Sequence, residues 1–138
     1  MAKYGMSIVL NGTLEAVKPR LLAALKAQGF GVLTEIDVQK TMQEKIGAEY
    51  EPYLILGACN PVLANRALTA DRSIGLLLPC NVVIRQVGGE VEVSILDPEM
   101  MFSVVEPEVQ QALATLPLEA RQRLQAALAN LTLAGSQS

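Results

Sequence analysis

The sequence predicts an α+β domain with a mainly antiparallel sheet and helices packed on one face. Three observations carry this. Segments with the two-residue period of strands alternate with segments of helical period along most of the chain. Gly88-Gly89 separates two alternating apolar runs, which is a hairpin signal, and a hairpin cannot belong to a wholly parallel sheet. The chain also closes on helical pattern rather than on a strand, in the order β-α-β-α-β-α-β-β-α.

Lys3 to Leu10 reads as the first strand, Asn11-Gly12 as a turn and Thr13 as the N-cap of a helix. That helix places Leu14, Val17, Leu21, Leu22 and Leu25 on one face and stops at Gly29, with Pro19 predicting a kink or a late start. Phe30 to Asp37 alternates as a half-buried strand, with Val32, Thr34 and Ile36 on one side and Leu33, Glu35 and Asp37 on the other. A short helix from Val38 to Ile46 turns Met42 and Ile46 inward and ends at Gly47.

Tyr53 to Ala58 is a continuous apolar strand ending at Cys59-Asn60-Pro61, where Asn60 and Pro61 suit the start of a helix running to about Asp71. Ile74 to Ile84 reads as a further strand region, with Pro79 marking an edge or a bulge. Val91, Val93 and Ile95 alternate after the hairpin, and Asp97-Pro98 caps a turn of helix. From Pro107 onward the pattern is helical and Pro117 divides or bends it. One domain is expected over 1–138, with its core at 4–102, a helical segment at 107–131 and a frayed tail at 132–138.

Composition removes several classes of function. The chain has 138 residues, 51% of them apolar but only 4% aromatic, with no tryptophan, so its core is aliphatic. The net charge of -3 argues against nucleic acid as a partner, and no apolar run is long enough to span a membrane. The N-terminus lacks the blocks of a secretory signal, so a cytoplasmic location and free thiols at Cys59 and Cys80 are expected. There is no histidine, which rules out Ser-His-Asp triads, Cys-His pairs and His-containing zinc sites. No nucleotide-binding glycine motif occurs, and the sequence names no cofactor.

The strongest local pattern is a pair of Cys-Asn steps, Cys59-Asn60 and Cys80-Asn81, each at an apolar strand segment. Were the two strands neighbours, the thiols could meet and line a pocket. Cys59, just before a helix N-terminus, would have a lowered pKa, and Asn60 and Asn81 could donate hydrogen bonds to a ligand. The competing reading makes both cysteines small buried hydrophobes and both asparagines caps or turn residues. Two thiols are a weak metal signal, and Cys59 and Cys80 would be the ligands if there were any, with a dimer needed to reach four. Glu35 and Asp37 share a strand face and could bind a ligand or cation, or be a solvated strand side running into a helix cap. Arg121-Gln122-Arg123 reads as a solvated helix face.

Read together, Gly29-Phe30-Gly31-Val32-Leu33-Thr34-Glu35-Ile36-Asp37, Tyr53-Leu54-Ile55-Leu56-Gly57-Ala58-Cys59-Asn60-Pro61 and Gly75-Leu76-Leu77-Leu78-Pro79-Cys80-Asn81-Val82 closely resemble the bacterial and archaeal domain-of-unknown-function 302 family. The resemblance implies a curved antiparallel sheet with helices, like one half of the TATA-binding protein, assembled as a homodimer. It brings no established activity, and likeness to a DNA binder does not transfer function. The leading expectation is a homodimeric protein that binds a small molecule or soft metal ion near the two Cys-Asn steps. The alternatives are a thiol-dependent enzyme or redox sensor using Cys59 or Cys80, and a structural interaction module.

Overall fold

The computed structural model describes residues 4–136. Five strands, β1 (Gly5–Asn11), β2 (Gly31–Asp37), β3 (Tyr53–Cys59), β4 (Cys80–Val87) and β5 (Glu90–Leu96), form one antiparallel sheet in the order β1-β5-β4-β3-β2. Around it lie α1 (Leu14–Ala27), α2 (Val38–Ile46), α3 (Pro61–Ala70), α4 (Pro98–Phe102), α5 (Pro107–Ala112) and α6 (Leu116–Ser136). The α+β class and the single antiparallel sheet agree with the sequence reading.

The pleat decides what the sheet buries. Leu54, Leu56 and Ala58 of β3, Val82 and Ile84 of β4, and Val91, Val93 and Ile95 of β5 point to one face and are buried there. Val17, Leu21 and Leu25 of α1 meet Leu124, Ala127, Leu128 and Leu131 of α6 over that face in one continuous core. Helices α1 and α6 cover this side. A core of this kind rests on aliphatic burial of about 25 cal/mol per Å², as the scarcity of rings foretold.

Local signals explain most element ends. Thr13 Oγ1 accepts the Ala16 amide at 3.2 Å, and Asp37 Oδ1 accepts that of Lys40 at 2.9 Å, so each caps the helix that follows. Gly29 (φ 85) closes α1 and Gly47 (φ 66) closes α2 in the left-handed region. The amide that opens α1, on Leu14, is taken by Gln86 Oε1 at 2.8 Å, from 72 residues away. Helix α1 runs through Pro19, which is exposed, so the Glu15 carbonyl that it deprives of a partner faces water. Of the two outcomes expected at Pro117 the structure has the division: α5 ends at Ala112, and Pro117 lies in the first turn of α6, where its missing amide costs nothing.

Four expectations are corrected. Arg72–Leu77 is a 3-10 helix rather than strand, and β4 begins only at Cys80; Pro79 therefore precedes a central strand and marks neither an edge nor a bulge. The bulge lies instead in edge strand β2, between Val32 and Thr34, and moves Val32 to the core face that Glu35 and Asp37 share. In α2 the buried anchor is Val38, while Ile46 is 73% exposed, because the helix docks on the sheet only by its first turn. Helix continues to Ser136 where a frayed tail was expected from 132, and 137–138 lie outside the described residues.

Candidate functional site

The two Cys-Asn steps come together at one end of the sheet. Strand β3 pairs with β4 so that Ala58 stands opposite Cys80 and Gly57 opposite Asn81. Neighbouring strands were the condition for a shared pocket. The register, however, offsets the two steps by one residue, and one residue in a strand reverses the face. Cys80 points into the core with Ala58, whereas the pleat turns Cys59 the other way, with Gly57 and Asn81. Both cysteines are free.

A cavity enclosing about 50 Å³ opens here, lined by Phe30, Ala58, Cys59, Asn60 and Cys80 and walled by Leu63, Ala64 and Ala67 of α3, Met101 and Phe102 of α4, and Leu116, Ala120 and Leu124 of α6. Three alanines on two facing helices leave the space, and nearly every wall atom is carbon.

Asn60 is 5% exposed, the one polar side chain among the buried residues described. Its Oδ1 accepts the amides of Val62 at 3.1 Å and Leu63 at 3.2 Å, making it the N-cap of α3 with Pro61 at the first helical position. Its amide nitrogen lies over Gly29: a Cβ there would sit 2.9 Å from Asn60 Nδ2 and 3.3 Å from Arg123 Nη1. Asn60 thus caps α3 and packs its start against the turn between α1 and β2.

Electrostatics keeps both thiols protonated. Burial pushes the Cys80 thiol up to about 12, with Asp97 adding to the rise, and Sγ lies 3.7 Å from the Leu96 carbonyl, to which it donates. Burial also pushes the Cys59 thiol up, against the expected lowering by the helix N-terminus. The reason is local, since Asn60 already occupies the amides that would have stabilised a thiolate. Neither thiol shifts the other's ionisation, in keeping with their opposite faces.

Asp97 caps α4 through the Glu99 amide at 2.9 Å, the helix-cap role expected of it, and its Oδ2 lies 3.3 Å from Arg121 Nε. That contact is ionic, without hydrogen-bond alignment. Arg121 is therefore half-buried beside Cys80's neighbour, and the solvated face expected for it holds only in part: Arg123, exposed, pairs with Glu119 at 3.5 Å. No periodicity in the sequence signals the Asp97–Arg121 contact, because it joins a strand end to a helix 24 residues later.

The remaining candidates lie elsewhere. Glu35 pairs with Lys18 at 2.7 Å and Asp37 caps α2; both line a groove of about 560 Å³ between α1 and β3, apart from the thiol cavity. Asn81 is exposed on the sheet face opposite α1 and α6, in a shallow depression with Tyr4, Val83 and Leu96. Among the described residues no three His, Cys, Asp or Glu side chains gather to hold a metal ion, and no helix is long and apolar enough to cross a membrane.

These features can be set beside known proteins. No curated protein matches the chain. The crystal structure of an uncharacterized conserved protein DUF302 from Bacillus stearothermophilus superposes with a TM-score of 0.82 at 28% identity, covering 94% of this chain and 99% of that one. The family model for the domain of unknown function DUF302 matches residues 6–131, nearly the whole described fold, and the chain belongs to that family.

Proposed function

We propose that the chain is a homodimeric binding protein whose cavity at Cys59, Asn60 and Cys80 takes a small, mainly apolar molecule. The observation that carries this reading is the cavity itself: alanines at positions 64, 67 and 120 leave room that leucine would fill, beside a single buried polar side chain. Its space, about 50 Å³, is about a third of the roughly 150 Å³ of an apolar cavity that takes benzene. The guest is accordingly a few heavy atoms, or the short end of something longer. Carbon walls favour it neutral over charged.

The thiol-dependent enzyme or sensor is the weaker reading, because protonated, non-adjacent thiols make poor nucleophiles and cannot bridge. The same separation disfavours a soft metal ion held by Cys59 and Cys80 together. A purely structural module leaves the alanine-lined space without a role.

Native mass spectrometry of the purified protein, and thermal shifts with xenon, methanol and ethanol, test the proposal. A bound probe at 100 times its Kd raises stability by about 2.7 kcal/mol. Ala120→Val, which adds two methyl groups to the cavity wall, abolishes that shift while the protein stays folded. The absence of any co-purifying adduct, together with flat melting curves for every probe, would refute it.

A further inference from the structure

We propose that the guest of the cavity carries a neutral oxygen, a carbonyl or a hydroxyl, and that Asn60 Nδ2 donates a hydrogen bond to it. This rests on the small-molecule reading above and narrows it to a chemical class. The two helix amides that Asn60 accepts fix which end of its side chain is oxygen, so the end left over is a donor. Among the described residues Nδ2 meets no acceptor, although Asn60 is 5% exposed and forms part of the cavity wall. Folded proteins rarely leave so buried an amide without a partner, because its desolvation goes uncompensated. Nor is the donor sealed in. Arg121 Nε is the one fully buried side-chain nitrogen or oxygen without a hydrogen bond among the described residues, so Nδ2, also without one, borders open space.

The surroundings select an acceptor. A Cβ at Gly29 would lie 2.9 Å from Asn60 Nδ2 and 3.3 Å from Arg123 Nη1, and both nitrogens are donors. The bonds of Arg123 to the Gln28 carbonyl and to Glu119 are each 3.5 Å long, so its positive charge still favours an oxygen nearby over an N–H or a cation. Cys80 competes little for that oxygen, since its thiol already donates to the Leu96 carbonyl, and the Cys59 thiol is a weak donor. Carbon over the rest of the wall keeps the guest uncharged. An alkane would fill the same space and leave Nδ2 unpaired; an alcohol or small carbonyl compound fills it and supplies the partner.

Methanol, ethane and xenon are the probes, all small and only the first with an oxygen. In ¹H–¹⁵N spectra of the wild type, the side-chain amide protons of Asn60, assigned by triple resonance, move downfield with methanol and not with ethane or xenon. Asn60→Asp keeps the acceptor that caps α3 but, as a carboxylate, donates nothing; it lowers the ratio of methanol to xenon affinity by about five- to tenfold, the worth of one hydrogen bond. The wild-type spectra decide by themselves should that variant fail to fold. Probes that bind while the Asn60 amide protons stay in place overturn the oxygen contact and leave the cavity a binding site. Failure of all three probes to bind overturns the cavity reading, and the oxygen contact with it.

Discussion

Replacing Asn60 by alanine removes the acceptor of two helix amides at once. The cap is worth about 1 kcal/mol. The Leu63 amide bonds within the core and would lose its partner without gaining water, for roughly another 1–3 kcal/mol. The two losses overlap, so about 2–3 kcal/mol is expected, which for a domain of this size lowers the melting temperature by roughly 8–12 °C. Asn60→Asp keeps the acceptor and places negative charge at a helix N-terminus, offsetting part of its burial; its loss should be under half that of alanine. Urea denaturation of the three proteins, fitted to a shared slope, is the assay. An alanine variant within about 0.5 kcal/mol of wild type would show that Asn60 does not hold α3, and would return its side chain to the cavity as a ligand donor.

Three further outcomes follow from the same geometry. Cys80 stays protonated in the fold up to about 12, while the unfolded thiol ionises near 9.0; its contribution is therefore fully present below 9.0 and is lost as pH rises toward 12, so Cys80→Ala should flatten the alkaline loss of stability measured by denaturation from pH 8 to 11. A steeper loss in the variant would contradict the buried-thiol assignment. Gly57→Ala sets a Cβ against Thr34 Oγ1 and 2.7 Å from Pro79 Cγ, and should cost about 1–3 kcal/mol in urea denaturation; a neutral result would mean that β3 and the Pro79 turn can move apart. Glu35→Gln breaks only the solvent-screened pair with Lys18, so its stability should change by less than about 1 kcal/mol and probe binding at the thiol cavity not at all. Lost probe binding would join two sites that the fold separates.

The strand and helix segments were legible wherever one period ran uninterrupted. Tyr53 to Ala58, the Gly88-Gly89 hairpin and the stripe from Leu14 to Leu25 all fall where their apolar spacing put them. Errors arose where short-range pattern competed with tertiary contact. Ile74 and Leu77 have a strand's composition, yet Asp71 takes the Ser73 amide at 2.9 Å and starts a 3-10 turn that buries Ile74. Met42 and Ile46 carry a helical stripe, but only Val38, in the first turn of α2, is buried. The bulge in β2 left no trace in the alternation, since no residue of that edge strand is fully buried and so none marks the change of phase that brings Val32 against the core.

The site was legible as a place but not as chemistry. Two Cys-Asn steps in matching contexts pointed to adjacent strand ends, and pairing of Ala58 with Cys80 makes them so. What a sequence cannot carry is the phase between them. Had Cys59 paired with Cys80, both thiols would share a face; the one-residue offset separates them and puts Asn60 into the helix cap and Asn81 onto the open sheet. Identical dipeptides thereby acquire four different environments. The buried thiol belongs to the core, the cap to α3, and only the space left by the alanines at 64, 67 and 120 remains for a guest. Those alanines sit on α3 and α6, outside either Cys-Asn step, so the part of the site that would admit a ligand is the part that no local motif could announce.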